Sequence, residues 1–170
     1  MTWPAVVTLA EARRGLTLHI APDAAARADI ALMLDLEALE RLEADLTLRS
    51  WLDGVEIEGR WRAEIVQICG VSLDPFQTGL SGALTVRAVP PGSPNAAQEA
   101  DGVMVIDLEA EDPPDELESE RIDLAAYIIE HLALEIDPFP RKPGVEFEPP
   151  TEAQTPSPFA ALKGLKRDDG

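Results

Sequence analysis

The chain has 170 residues, 45% hydrophobic and 5% aromatic, with 14 Lys and Arg against 32 Asp and Glu and a formal charge of −18. This length and apolar content suit one domain with a buried core and tails, and exclude a wholly disordered protein. The charge repels phosphate backbones and anionic lipid headgroups and attracts basic proteins, so surface-wide nucleic-acid binding is disfavoured.

Leu16 to Ile20 reads as a strand closed by Ala21-Pro22. From Asp23, which can cap a first turn, the Ala-rich run to Leu34 reads as helix. A second helical piece, Leu36 to Leu42, is expected after a break near Asp35. The period then becomes two, with Leu42, Ala44, Leu46 and Leu48 alternating with polar residues as in a half-buried strand. Asp53-Gly54 signals a hairpin in which glycine supplies positive φ. In the next strand Val55, Ile57, Gly59, Trp61, Ala63 and Ile65 face one way, and Glu56, Glu58, Arg60, Arg62 and Glu64 the other. Gly59 predicts a bulge or a close backbone approach. Asp74-Pro75 marks another turn, and Leu80, Gly82, Leu84, Val86 and Ala88 complete a three-stranded meander.

Pro90 to Ala100 reads as a loop and Val103 to Ile106 as a short strand. Between Asp107 and Glu120 stand eight carboxylates and no basic residue: Asp107, Glu109, Glu111, Asp112, Asp115, Glu116, Glu118 and Glu120. With Pro113 and Pro114 this run reads as a solvated loop. Ile122 to Leu134 is apolar almost all round and predicts a helix buried against the sheet, ended by Pro138 and Pro140. Seven of the 15 prolines fall between Pro138 and Pro158, which suits an extended tail. Within it, residues 158–167 read as a short helix with Phe159, Leu162 and Leu165 at i, i+3, i+6 and Lys163, Lys166 and Arg167 at its basic end. The expected organisation is one α+β domain over 1–137, an antiparallel meander sheet, either open or curled toward a barrel, with packed helices, and a Pro-rich tail over 138–170.

Chemistry-bearing residues are sparse. His19 and His131 fall on a predicted strand and a predicted core helix, and Cys69 at a strand end reads as a buried structural thiol. One cysteine excludes an intrachain disulfide and fits a reducing compartment. No phosphate-binding glycine motif or Cys/His metal spacing is present. Asp107, Glu109 and Glu111 alternate as in a calcium loop, but prolines interrupt and no glycine follows. A non-enzymatic protein without metal or cofactor is therefore expected. Trp61 lies on the core side of its strand, whereas Trp51 beside the hairpin is a candidate contact residue. No signal peptide follows Arg13-Arg14, and no stretch approaches 18 uninterrupted apolar residues. An acidic, soluble, cytoplasmic protein is expected, with no membrane or DNA partner.

In four segments the chain resembles the YceD-like large ribosomal RNA subunit accumulation proteins of bacteria. They are Val55-Glu56-Ile57-Glu58-Gly59 running into Gln67-Ile68-Cys69 and Leu73-Asp74-Pro75; Arg121-Ile122-Asp123-Leu124 with Glu130 and Leu132-Ala133-Leu134; Asp137-Pro138-Phe139-Pro140; and Ser157-Pro158-Phe159-Ala160-Ala161-Leu162-Lys163. Many members carry C-x-x-C at the strand end; here Ser72 stands where the second cysteine would fall. The resemblance implies a role in 23S ribosomal RNA accumulation and large-subunit assembly. Charge then predicts how: the Asp107 to Glu120 run and the Glu56/Glu58/Glu64 face would hold a basic large-subunit ribosomal protein or pre-ribosomal particle. The alternative is direct ribosomal RNA binding by Lys163, Lys166 and Arg167, three cations opposed by the charge of the whole chain. Phe159 and Leu162 are expected to insert into a partner's groove or to dock on their own domain.

Overall fold

The computed structural model describes residues 5–96 and 113–147. In chain order the elements are β1 (Val6–Thr8), α1 (Leu9–Ala12), β2 (Leu16–Ile20), α2 (Ala24–Met33), β3 (Ala38–Trp51), β4 (Gly54–Ile68), β5 (Pro75–Val89), β6 (Asp115–Glu116), β7 (Arg121–Asp123) and α3 (Leu124–Glu135). The fold is α+β. One sheet has the order β2-β3-β4-β5-β6, antiparallel except for the parallel β5–β6 pair, and a second pairs β1 with β7. The meander β3-β4-β5 stands as its periods predict. Of the two forms expected for the sheet it is the open one that stands: among the described residues it does not close into a barrel, and β2 and β6 are its two edges.

The core lies on one face of this sheet. Leu46, Leu48, Ile57, Trp61 and Ile65 on the strands pack with Ile30 of α2 and Ile128 and Leu132 of α3, each almost fully buried. Each such aliphatic side chain contributes about 1.5–3 kcal/mol relative to exposure. Asp23 caps α2 through Ala26 N (2.8 Å), and Asp123 caps α3 through Ala125 N (3.0 Å) and Ala126 N (3.2 Å). Helix α3 therefore begins at Leu124, while Ile122 belongs to β7 and is buried there. It is not buried all round, since Leu134 is exposed. Thr8 and Glu11 form a reciprocal capping box on α1, with Glu11 N donating to Thr8 Oγ1 (3.2 Å) and Thr8 N to Glu11 Oε2 (3.0 Å).

Two local expectations change. Leu36 to Leu42 is not helical: Asp35 takes φ 54°, breaking α2 as expected, but strand β3 starts at Ala38. A bulge between Leu39 and Arg41 inserts Glu40, so that Leu39 and Leu42 both face the core although three apart in sequence. At the β3–β4 hairpin the positive φ falls on Leu52 (49°). Gly54 is instead the first residue of β4, and a Cβ there would overlap the Ala88 carbonyl. At Gly59 the register is continuous, so of the two predicted alternatives it is the close approach, to Asp45 and Leu46, that excludes a side chain. The predicted strand Val103 to Ile106 lies outside the described residues.

Candidate protein-interaction surfaces

The structure describes the second half of the acidic run. Asp107, Glu109, Glu111 and Asp112 lie outside the described residues. Asp115 and Glu116 form β6, a correction to the solvated loop expected there, with Asp115 and Glu116 opposite Ala88 and Val89. Leu117 is buried and its amide donates to Val89 O (2.9 Å); Glu120 O accepts from Leu9 N (2.9 Å); Glu116 Oε1 accepts from Gly92 N (2.7 Å). The backbone is thus pinned to the domain at both ends, while Asp115, Glu116, Glu118 and Glu120 are exposed. Beside them a cleft of about 530 Å³ runs between the end of β5 and α3, lined by Arg87, Asp115, Tyr127, Glu130 and His131. Burial, then the charge and hydrogen bond of Asp115, then Glu130, push the Tyr127 phenol well above its ordinary value, so its hydroxyl remains a donor. His131 Nδ1 lies 2.8 Å from Tyr127 O, tied to its own helix backbone.

The outer sheet face is different in kind. Register sets opposite charges side by side: Arg41 with Glu64, Glu43 with Arg62, Asp45 with Arg60, Arg49 with Glu56, and Glu56 with Arg87. Glu43 is held by Arg41 and Arg62 at 2.8 Å each, Glu56 by Arg87 at 3.1 Å, and Glu58 by Arg49. The Arg41 hydrogen bond, with the Arg41 and Arg62 charges, keeps the Glu43 carboxyl below the usual carboxylate range. His19 pairs with Asp45 at 2.7 Å. Trp51, the expected contact residue, is half-buried with the Arg87 guanidinium 5.1 Å from its ring centre. The face expected to add negative field through Glu56, Glu58 and Glu64 is therefore a checkerboard of both signs. That pattern was visible in the alternating Glu and Arg of β4 once the charges of β3 are laid beside it.

A third region lies at the end of β4, where two of the four segments that carry the resemblance converge. Cys69 is fully buried, and its Sγ accepts from the amides of Val71, Ser72 and Lys142, each at 3.4 Å. Cys69 N donates to Asp74 O (2.9 Å), Gly70 N to Pro140 O (2.9 Å), and Gln67 Nε2 to Asp137 O (3.0 Å). Lys142 Nζ stands 3.6 Å from Asp74. Residues 138–142, read from sequence as the start of the tail, run against this turn. Among the described residues no three His, Cys, Asp or Glu side chains gather as metal ligands, and no helix is long and apolar enough to cross a membrane. Phe159, Leu162 and Lys163 lie outside the described residues.

No curated protein and no solved structure matches the chain. A family does: the one described as large ribosomal RNA subunit accumulation protein YceD matches residues 57–166, from within β4 through α3 and onward. Its span takes in β4, the Cys69 turn, the acidic run and the Asp137-Pro138-Phe139-Pro140 segment, which is more than half of the sequence. The chain belongs to the large ribosomal RNA subunit accumulation protein YceD family.

Proposed function

We propose that this protein supports accumulation of large-subunit ribosomal RNA, and with it large-subunit assembly, as a non-enzymatic factor that holds a basic ribosomal protein against its acidic segment. The family supplies the process; the reading of mechanism rests on where charge is and is not neutralised. On the sheet face carboxylates are met by arginines, whereas among the described residues no cation pairs with Asp115, Glu116, Glu118 or Glu120. These four extend, through Asp107, Glu109, Glu111 and Asp112, into the full acidic run. Free basic ribosomal proteins bind any RNA, and an acidic surface competes with RNA for them through rapid, salt-sensitive association.

The test is capture by the tagged full chain from bacterial lysate at low and moderate salt, with and without ribonuclease. Basic large-subunit proteins retained after ribonuclease, released by salt, and lost on Asp115→Asn/Glu116→Gln/Glu118→Gln/Glu120→Gln are the expected result. Capture abolished by ribonuclease would mean that RNA is the ligand or bridge, and would favour contact through Lys163, Lys166 and Arg167 instead.

A further inference from the structure

Of nine large hydrophobics exposed among the described residues, Ile68 lines a groove, and Leu32, Met33, Leu134 and Phe139 stand within two residues in sequence of its lining. Leu32 and Met33 end α2 just before Leu34, Ile68 ends β4, and Leu73 donates its amide to Cys69 O. Leu134 lies in the last turn of α3, and Phe139 sits between Pro138 and Pro140. This groove, of about 390 Å³, has Leu36, Ile68 and Ile136 on its apolar side and Asp35, Glu37 and Asp137 as its carboxylates. Apolar patches ringed by charge are where a protein is covered by something else.

Two observations identify the cover. The first is charge: the groove is acidic, so its occupant should pair an apolar stripe with cations. Residues 158–167 have that pattern, with Phe159, Leu162 and Leu165 at i, i+3, i+6 and Lys163, Lys166 and Arg167 among and after them. The second is reach. The chain passes the groove at Pro138 and Pro140, is held at Lys142 by the Cys69 sulfur, and the described residues end at Phe147. Phe159 lies twelve residues further on, a span of roughly 40 Å when extended. A tether this short gives an effective concentration on the order of mM, so even a weak site is filled by its own chain before a partner at cellular concentration.

We propose that Phe159, Leu162 and Leu165 of the chain's own C-terminal segment seat in the groove between the end of α2, the Cys69 turn and the Ile136–Pro140 segment, with Lys163, Lys166 and Arg167 facing its carboxylates. The groove is distinct from the acidic run, so this inference stands apart from the proposed function.

The experiment is methyl NMR of the full chain, wild type against Phe159→Ser/Leu162→Ser, at two protein concentrations. Substitutions in the tail leave the core intact, which unchanged Ile57 and Ile128 methyl shifts would verify. The expected result is movement of the Leu36, Ile68 and Ile136 methyls, independent of concentration, with wild-type shifts restored when a peptide spanning residues 155–170 is added at about mM concentration. A Glu37→Lys variant should weaken the docking and move the same methyls part of the way. Unmoved groove methyls would overturn the proposal. So would shifts that depend on protein concentration, which would make the occupant a second copy, or failure of the peptide to restore them.

Discussion

At Cys69 a single sulfur organises a turn that brings together residues 67–75 and 137–142. Its thiol pKa falls from 9.0 to about 6, the Ser72 hydroxyl contributing most, followed by the amides of Ser72, Lys142 and Val71. Three of these donors point at the sulfur because the backbone folds around it, so the turn is built to hold negative charge there. A folded pKa below the unfolded one means stabilisation that is complete above pH 9.0 and lost as pH falls through about 6. Urea unfolding of wild type and Cys69→Ala should therefore show a gap in favour of wild type that widens from pH 6 to pH 9. A gap that stays constant across that range would mean the thiol stays protonated. Ser72, in the place of a second cysteine, donates its amide to this sulfur at 3.4 Å, which is a role the residue's identity alone did not disclose.

Helix α3 illustrates how an element is set by its first residue. Asp123 ends β7 and accepts from the Ala125 and Ala126 amides, so one carboxylate both closes a strand and opens the helix that covers the sheet. Asp123→Ala should cost about 1 kcal/mol in urea unfolding, while Glu130→Ala on the exposed face of the same helix should change little. Equal losses at the two positions would rule out capping as the cause. What could be read in advance follows the same logic of local against distant causes. The meander was legible because alternation in β4 and β5 is uninterrupted and each turn carries Gly or Pro. Leu36 to Leu42 was not legible, because Leu36, Leu39 and Leu42 recur at helical spacing and all three are buried. Only the pairing of Ala38, Leu39 and Leu42 with Val66, Ile65 and Ala63 of β4, with Glu40 bulged out, makes the Leu39–Leu42 spacing compatible with a strand. The β1–β7 pair joins residues more than a hundred positions apart, and no local pattern in either three-residue strand announces it. For the acidic run, the carboxylates were evident from sequence. Their anchoring through Leu117 and the β5–β6 pair was not, since it depends on a two-residue parallel contact.

At the scale of the whole molecule the formal charge of −18 is unevenly expressed. Cross-strand register turns the outer sheet face into paired charges whose fields largely cancel beyond a few ångströms, and exposed pairs of this kind add little stability individually. Among the described residues Asp115 to Glu120 keep their field because their backbone is hydrogen-bonded while their carboxylates face solvent. A long-range field of one sign acts on encounter more than on the docked complex, so it should govern how fast a basic partner arrives and not how long it stays. Replacing Asp115, Glu116, Glu118 and Glu120 by their amides removes four negative charges without removing the backbone contacts that hold the segment. Stopped-flow association with a purified basic ribosomal protein captured by the wild type should then slow by about tenfold at low ionic strength. The two rates should converge at high salt, where the screening length drops to about 3 Å. Dissociation should change much less. An effect confined to dissociation would place these carboxylates inside a short-range interface, and the steering role assigned to them would be wrong.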